Sequence, residues 1–176
     1  NEQDNVVLLT EKIHESLEGY SYEIVYVNDF STDETVRLIK KMGDESVHLI
    51  ELKKNYGQSL ALAAGIDYAK GEFIITMDGD LQNDPSDIPE MLHWAINEHY
   101  DLVTGIRQKR KDSWLKTIPS KVANFLVRKV TSLDIKDNGC ALKVFSKDIA
   151  KNLNLYGEMH RFITLLAFLE GAQIKQ

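Results

Sequence analysis

What most restricts the architecture open to this chain is a repeated change of hydrophobic period. Short runs rich in β-branched and aromatic residues, Tyr22 to Val27 (YEIVYV), Val47 to Leu52 (VHLIEL), Phe73 to Met77 (FIITM) and Leu102 to Thr104, alternate with helical stretches. The first helical stretch runs from about Val6 to Leu17. In "STDE", Ser31 with Glu34 three residues later reads as a capping box that opens a helix through Met42. Leu60 to Ala69 is Ala-rich and helical, ending at Gly71, and Ser86 to Glu98 forms the next helix. Strands alternating with helices predict an α/β domain with a mostly parallel central sheet flanked by helices. In such sheets ligands sit beyond the carboxyl ends of the strands. No repeat or Pro/Gly-rich linker divides the chain, so residues 1–176 are read as a single domain.

The totals remove several function classes. A net charge of -6 argues against a general nucleic-acid binder, because counterion release rewards excess positive charge. The one cysteine, Cys140, rules out an intrachain disulfide and fits a reducing compartment. No stretch approaches the roughly 20 apolar residues of a membrane span, and no signal-peptide pattern opens the chain, so the chain as given is read as soluble.

The strand FIITM runs directly into "DGDLQNDP", which places Asp78 and Asp80 two positions apart where the strand ends. Like charges at that separation repel and raise each other's pKa. An exposed acidic turn is one explanation, with Asp84 and Pro85 starting the next helix. A calcium loop of the EF-hand kind fails, because its sixth position is Asn83 rather than Gly and no helix precedes it. A divalent cation held by one or two carboxylates and by substrate phosphates explains the pairing, since the cation removes the repulsion. Asp78, Asp80 and Gln82 alternate, so in an extended segment their oxygens point one way. Gln82 is a weak amide ligand whose alternative is a bond to a neighbour. A phosphatase with a nucleophilic first Asp is a weaker reading, because such motifs lie on a first strand and continue with Gly-Thr.

"VNDFSTDET", "KNYGQSLALAAGIDYAKGEFIITMDGDLQNDP", "DNGCALKVF" and "YGEMHRF" occur in this order. Together they resemble the family 2 glycosyltransferases of the GT-A fold, a Rossmann-like nucleotide-diphospho-sugar transferase fold. The likeness is to the branch that transfers a sugar from a nucleotide sugar to a polyprenyl (dolichyl or undecaprenyl) phosphate, and it covers nearly the whole chain. Members of that family carry an apolar first strand ahead of the position of Asn1, and a basic loop and often membrane helices beyond the position of Gln176. The resemblance therefore implies a catalytic core trimmed at both ends, poorly active alone, from an enzyme on the cytoplasmic face of a membrane.

The resemblance also implies roles. Glu2, Asp29, Asp78 and Arg107 would contact the UDP- or GDP-linked donor. Asp78, Asp80 and Gln82 would bind Mg²⁺ or Mn²⁺. Lys116, Ser120, His160 and Arg161 would hold the acceptor phosphate, and Asp137 occupies the place of the proposed catalytic base. Residue chemistry leaves alternatives open at several of these positions. Asp29 suits a base or ribose contact, or an Asx turn or helix cap beside Ser31. Phe30 replaces a commoner Gly and is strained if φ there is positive. The basic run Arg107, Lys109, Arg110, Lys111 and Lys116 serves phosphate binding or forms a solvated loop. Asp137 is alternatively a turn residue before Gly139, and His160 a satisfied histidine at a helix start. A phosphate monoester has a second pKa near 6, so the acceptor is already nucleophilic and Asp137 need only orient it. The expected activity is inverting, metal-dependent sugar transfer to a polyprenyl phosphate. The alternatives are a nucleotide-sugar-binding domain without catalysis and a family 2 enzyme with a non-lipid acceptor.

Overall fold

The structure, a computed structural model, describes residues 1–106 and 137–176. Helix α1 (Val6–Ser16) starts where the Glu2 carbonyl accepts the Asn5 and Val6 amides. Strand β1 (Ile24–Asn28), helix α2 (Thr35–Met42), strand β2 (Val47–Glu51), helix α3 (Gln58–Tyr68) and strand β3 (Phe73–Thr76) follow. A 3₁₀ turn (Pro85–Asp87), helix α4 (Ile88–Asn97) and strand β4 (Leu102–Thr104) complete the first described segment. The second contains β5 (Lys143–Ser146), α5 (Lys147–Asn152), a 3₁₀ turn (Met159–Phe162), α6 (Ile163–Leu169) and β6 (Ile174–Lys175).

The α/β alternation is as expected, but the capping box at Ser31 and Glu34 does not form. The Asp33 carboxylate instead accepts from the amide and hydroxyl of Thr35 at 3.1 and 2.6 Å, and α2 begins at Thr35. A carboxylate two residues ahead of a free amide is the stronger local acceptor. Ser31 Oγ accepts the Asn1 amine at 3.2 Å.

Hydrogen bonding divides the strands into two sheets. β1 and β2 pair in parallel, from Ile24 opposite Val47 to Asn28 opposite Glu51. The second sheet has the order β3-β5-β4-β6. Only β5 opposes its neighbours, and β4 and β6 are parallel, so three of these four strands run one way. Leu102, Val103, Val144 and Phe145, at the centre of this sheet, are each 0 % exposed. Leu102 and Phe145 pack with Ile66, Ile74 and Ile163 on one face; Val103 and Val144 pack with Ile88, Met91 and Leu142 on the other. Burial on both faces explains why the sequence here shows no polar alternation.

β1 and β3 lie side by side without pairing. At their starts the Glu23 carboxylate accepts the Lys70 amide at 2.7 Å. At their ends Asn1 accepts the Thr32 amide at 2.8 Å, and a Cβ on Gly79 would stand 3.4 Å from Glu2 Cγ. Between the two strands is a cavity of about 990 Å³, lined by Ile13, Leu17 and Leu92 from one apolar cluster and Leu62, Ile66 and Ala69 from the other. The end of the cavity at the carboxyl ends of both strands, its mouth, is lined by Asn28, Asp29, Ser31 and Asp78.

Candidate functional site

Two polar turns meet at that mouth. After β1, Asn28 Oδ1 accepts the amide of Ser31, three residues on, at 3.0 Å and closes the turn. The turn beside Ser31 therefore belongs to Asn28, and Asp29 is left to reach across the mouth. Its two carboxylate oxygens accept the Tyr56 amide at 2.7 Å and the Gly57 amide at 2.8 Å, fixing the loop that starts α3. Gly57, the N-cap, has φ 88, a conformation open to glycine. Phe30 has φ 68, the positive value that its place in the turn demands. For a residue with a bulky side chain that conformation costs on the order of 1–2 kcal/mol.

After β3, the Asp78 carboxylate accepts Gln58 Nε2 at 3.0 Å. Asp80 accepts the Gln82 amide at 3.0 Å through Oδ1 and Gln82 Nε2 at 2.8 Å through Oδ2. The Gln82 side chain thus bonds its neighbour, and the turn between them puts Leu81 at φ 58. Asp84 accepts the Ser86 amide at 3.1 Å and caps the 3₁₀ turn that leads into α4, as expected. Hydrogen bonds from Ser86 hold its carboxyl below the ordinary 3.8. Glu2 belongs to the same edge: its amide donates to Thr35 Oγ1 at 2.8 Å, its carboxylate accepts Asn5 Nδ2 at 2.7 Å, and its stem packs on Gly79. Glu2, Asp29, Gln58 and Asp78 all line the mouth of the cavity.

Among the described residues no three His, Cys, Asp or Glu side chains cluster as a metal cage. The two carboxylates Asp78 and Asp80 are hard oxygen donors at alternate positions. Such a pair fits magnesium or manganese whose shell is completed by substrate phosphates, rather than a cage built wholly of protein.

Asp137 is 4 % exposed, and its Oδ1 accepts the Gly139 amide at 3.0 Å. Gln176 binds its backbone on both sides, accepting the Asp137 amide at 3.3 Å and donating to its carbonyl at 2.9 Å. Asp137 is therefore built into the turn that leads to β5. There Lys143 is 3 % exposed, lies opposite Thr76 and Thr104, and donates its ammonium to the Cys140 carbonyl. Thr76 Oγ1 donates to the Ala141 carbonyl at 2.9 Å, which ties this segment to the strand bearing Asp78.

His160 is joined to the first turn of α3. Its amide donates to Ser59 Oγ at 3.0 Å, and its Nδ1 lies 2.9 Å from the same oxygen. With that oxygen accepting from the amide, its hydroxyl proton is free to go to Nδ1, an assignment that leaves the ring proton on Nε2. Burial holds His160 below its ordinary 6.5; the Glu158 and Asp78 charges oppose the shift only in part. At neutral pH the ring is uncharged, able to donate one hydrogen bond but not to act as a cation. Arg161 is exposed and pairs with Glu158 at 3.0 Å. Arg107, Lys109, Arg110, Lys111, Lys116 and Ser120 lie outside the described residues.

Three residues of this edge were not singled out by the sequence: Gln58, Ser59 and Lys143. The available signals were the position of Gln58 and Ser59 directly after Gly57 at a helix start, and a lysine inside the apolar run ALKVF. No helix among the described residues is long and apolar enough to cross a membrane.

The model of the family described as Glycosyl transferase family 2 matches residues 1–153. The chain is 44% identical over 169 residues to a dodecaprenyl-phosphate galacturonate synthase of Rhizobium johnstonii, covering 93% of this chain and 50% of that protein. It is 35% identical over 172 residues to an undecaprenyl-phosphate 4-deoxy-4-formamido-L-arabinose transferase of Edwardsiella ictaluri, covering 95% and 53%. The chain thus spans about half the length of the curated relatives it matches. Glucosyl-3-phosphoglycerate synthase from Mycobacterium tuberculosis, solved with Mn²⁺ and UDP-glucose, superposes with a TM-score of 0.80 at 15% identity, over 100% of this chain and 64% of that one. A mannosyltransferase from Pyrobaculum calidifontis, solved with GDP-Man and Mn²⁺, gives 0.72 at 18% identity, over 100% and 51%. At such identities the likeness establishes the fold, which is GT-A.

Proposed function

The chain belongs to glycosyl transferase family 2, and from that premise we propose that it carries the transfer of a sugar from a nucleoside-diphosphate sugar to a polyprenyl phosphate. The observation that supports this best is the acidic pair Asp78 and Asp80 just beyond β3, with Asp78 lining the same cavity as Glu2 and Asp29. Both relatives described above are named for polyprenyl-phosphate products or acceptors.

In this reading Glu2 and Asp29 face the nucleoside. The Asp29 carboxylate retains acceptor capacity beyond its two amide bonds. Asp78 and Asp80 hold Mg²⁺ or Mn²⁺, and Gln82 keeps Asp80 oriented through two hydrogen bonds. When bound, the cation stabilises negative charge on the departing nucleoside diphosphate. An acceptor phosphate oxygen forms a bond to the anomeric carbon from the face opposite the leaving group. The bond from that carbon to the diphosphate oxygen breaks, and the configuration inverts. Asp137, held in its turn by the Gly139 amide, positions the acceptor and removes no obligatory proton. Arg107 faces the donor diphosphate; neutral His160 donates to the acceptor phosphate, and Arg161, Lys116 and Ser120 complete the binding of that phosphate. The reaction is placed at the cytoplasmic face of a membrane.

A donor screen on the full-length protein with polyprenyl phosphate, with and without chelator, tests this. Asp80→Ala should reduce turnover by at least about 100-fold, because partners that only orient metal ligands are already worth up to that much. Activity that survives both chelation and Asp80→Ala overturns the metal assignment. Metal-dependent nucleotide binding without turnover favours a binding domain, and turnover confined to soluble acceptors removes the lipid.

The cavity between β1 and β3 has apolar walls on both faces and two parallel strand edges, the surroundings of a central strand. A strand leading into Asn1 and parallel to both would join the two sheets. In the full-length protein, hydrogen exchange at β1 and β3 amides should be slowed by that segment; exchange at the rate of free strand edges counts against it.

A further inference from the structure

Among the described residues, three other than glycine have positive φ: Phe30, Leu81 and His99. Of these, Phe30 is the one with an exposed large apolar side chain. It is 54 % exposed and makes no ring contact among the described residues. It does not line the cavity, although its neighbours Asp29 and Ser31 do. Glycine would fit this backbone without strain, yet the chain places a large apolar ring here. Strain held where nothing in the fold repays it is a mark of a functional position.

The ring is presented on a fixed base. Asn28 closes the turn behind it, and Asp29 beside it is clamped to the Tyr56 and Gly57 amides. Tyr56, brought alongside by that clamp, is 45 % exposed, with the Lys54 ammonium 5.0 Å from its ring centre. Two residues with exposed aromatic rings therefore adjoin Asp29, Phe30 as its chain neighbour and Tyr56 through its amide. A carboxylate recognises N–H and hydroxyl donors by their edge, and an aromatic ring recognises a flat heterocycle by its face. One ligand class offers both, a nucleobase with its ribose.

We infer that Phe30 is a stacking platform for the nucleobase of the donor, holding the base against Asp29. This rests on the proposed reading in which Asp29 faces the nucleoside. The platform reads a π-face rather than a hydrogen-bond pattern, so it serves uracil and guanine alike and grips the larger purine more firmly.

Calorimetric titration of the full-length protein with UDP, GDP and inorganic diphosphate, at fixed divalent cation, tests the inference. Phe30→Gly and Phe30→Leu should each weaken nucleoside diphosphate binding about 10-fold, the size of one base–aromatic stack, and leave inorganic diphosphate unchanged. Phe30→Trp should retain binding, and Phe30→Gly should melt at a higher temperature than the parent. Equal nucleotide affinity in the parent, Phe30→Gly and Phe30→Leu overturns the stacking role while leaving the proposed reaction intact. A lower melting temperature for Phe30→Gly overturns it as well, since the ring would then serve the fold. A parent protein that binds nucleoside diphosphate no better than inorganic diphosphate overturns the functional reading and the platform together.

Discussion

The β1–β2 sheet and the β3–β5–β4–β6 sheet are stabilised in different ways. Every residue of β4 is buried, and β5 is buried from Lys143 to Phe145. In β1 only Ile24 and Asn28 are buried, and β2 has no buried residue. What β1 and β2 lack in apolar contact is replaced at their ends by bonds between polar side chains and backbone, from Asn28, Asp29, Asp33 and Asp44. The ligand-facing turns therefore draw on the half with less burial, where local opening is easiest, and β3 brings Asp78 and Asp80 to it from the rigid half.

Substitutions can break this contrast. Phe145→Ala should cost about 3–5 kcal/mol in urea unfolding, whereas Val25→Ala beside the cavity should cost about 1 or less, because no packed neighbour is lost on that side. Equal costs would end the distinction between the two sheets. Asp29→Ala should cost about 1–2 kcal/mol, since two amides lose an ionised acceptor but solvent reaches them. Faster exchange confined to residues 56–60 would place that loss at the start of α3. Phe30→Gly should stabilise the fold by about 1 kcal/mol or less, the relieved strain being partly offset by the greater freedom of unfolded glycine.

The smallest expected effect is in acid. Hydrogen bonds from Thr35 lower the carboxyl of Asp33 below 3.8, and bonds from Ser46 together with the His14 charge do the same for Asp44. A depressed folded pKa stabilises fully above the unfolded value near 3.8 and is lost as pH falls through the folded value. Melting temperature followed down to about pH 3 should show a shallower acid limb for Asp44→Asn than for the parent. An unchanged limb would remove Asp44 from the polar support of this half.

The regions also differ in how well they could be read beforehand. The starts of β3 and β4, the α3 and α4 helices and the Asp84 cap were legible because each depends on residues a few positions apart. The capping box failed on the same scale, since Asp33 competed with Ser31 for the amides at the start of α2. Strand β5 escaped notice because an antiparallel strand between two others is defined by distant partners, and KVFS carries no period that distinguishes it. Asp78 and Asp80 were visible as a pair, but the bond of Gln82 to Asp80 needed the folded turn.

From the sequence alone came the α/β alternation and the acidic turn just beyond β3; that Phe30 stands at a turn position where glycine is commoner came from the family resemblance. Period, propensity and turn chemistry act over one or two turns of chain, so the first two features survive without coordinates. Only the tertiary structure decided that Asp29 clamps residues 27 and 28 positions away, that Ser59 meets His160 across 101 positions, and that β1 and β3 face each other over a cavity. Those pairings are set by topology and loop closure, which no local pattern encodes.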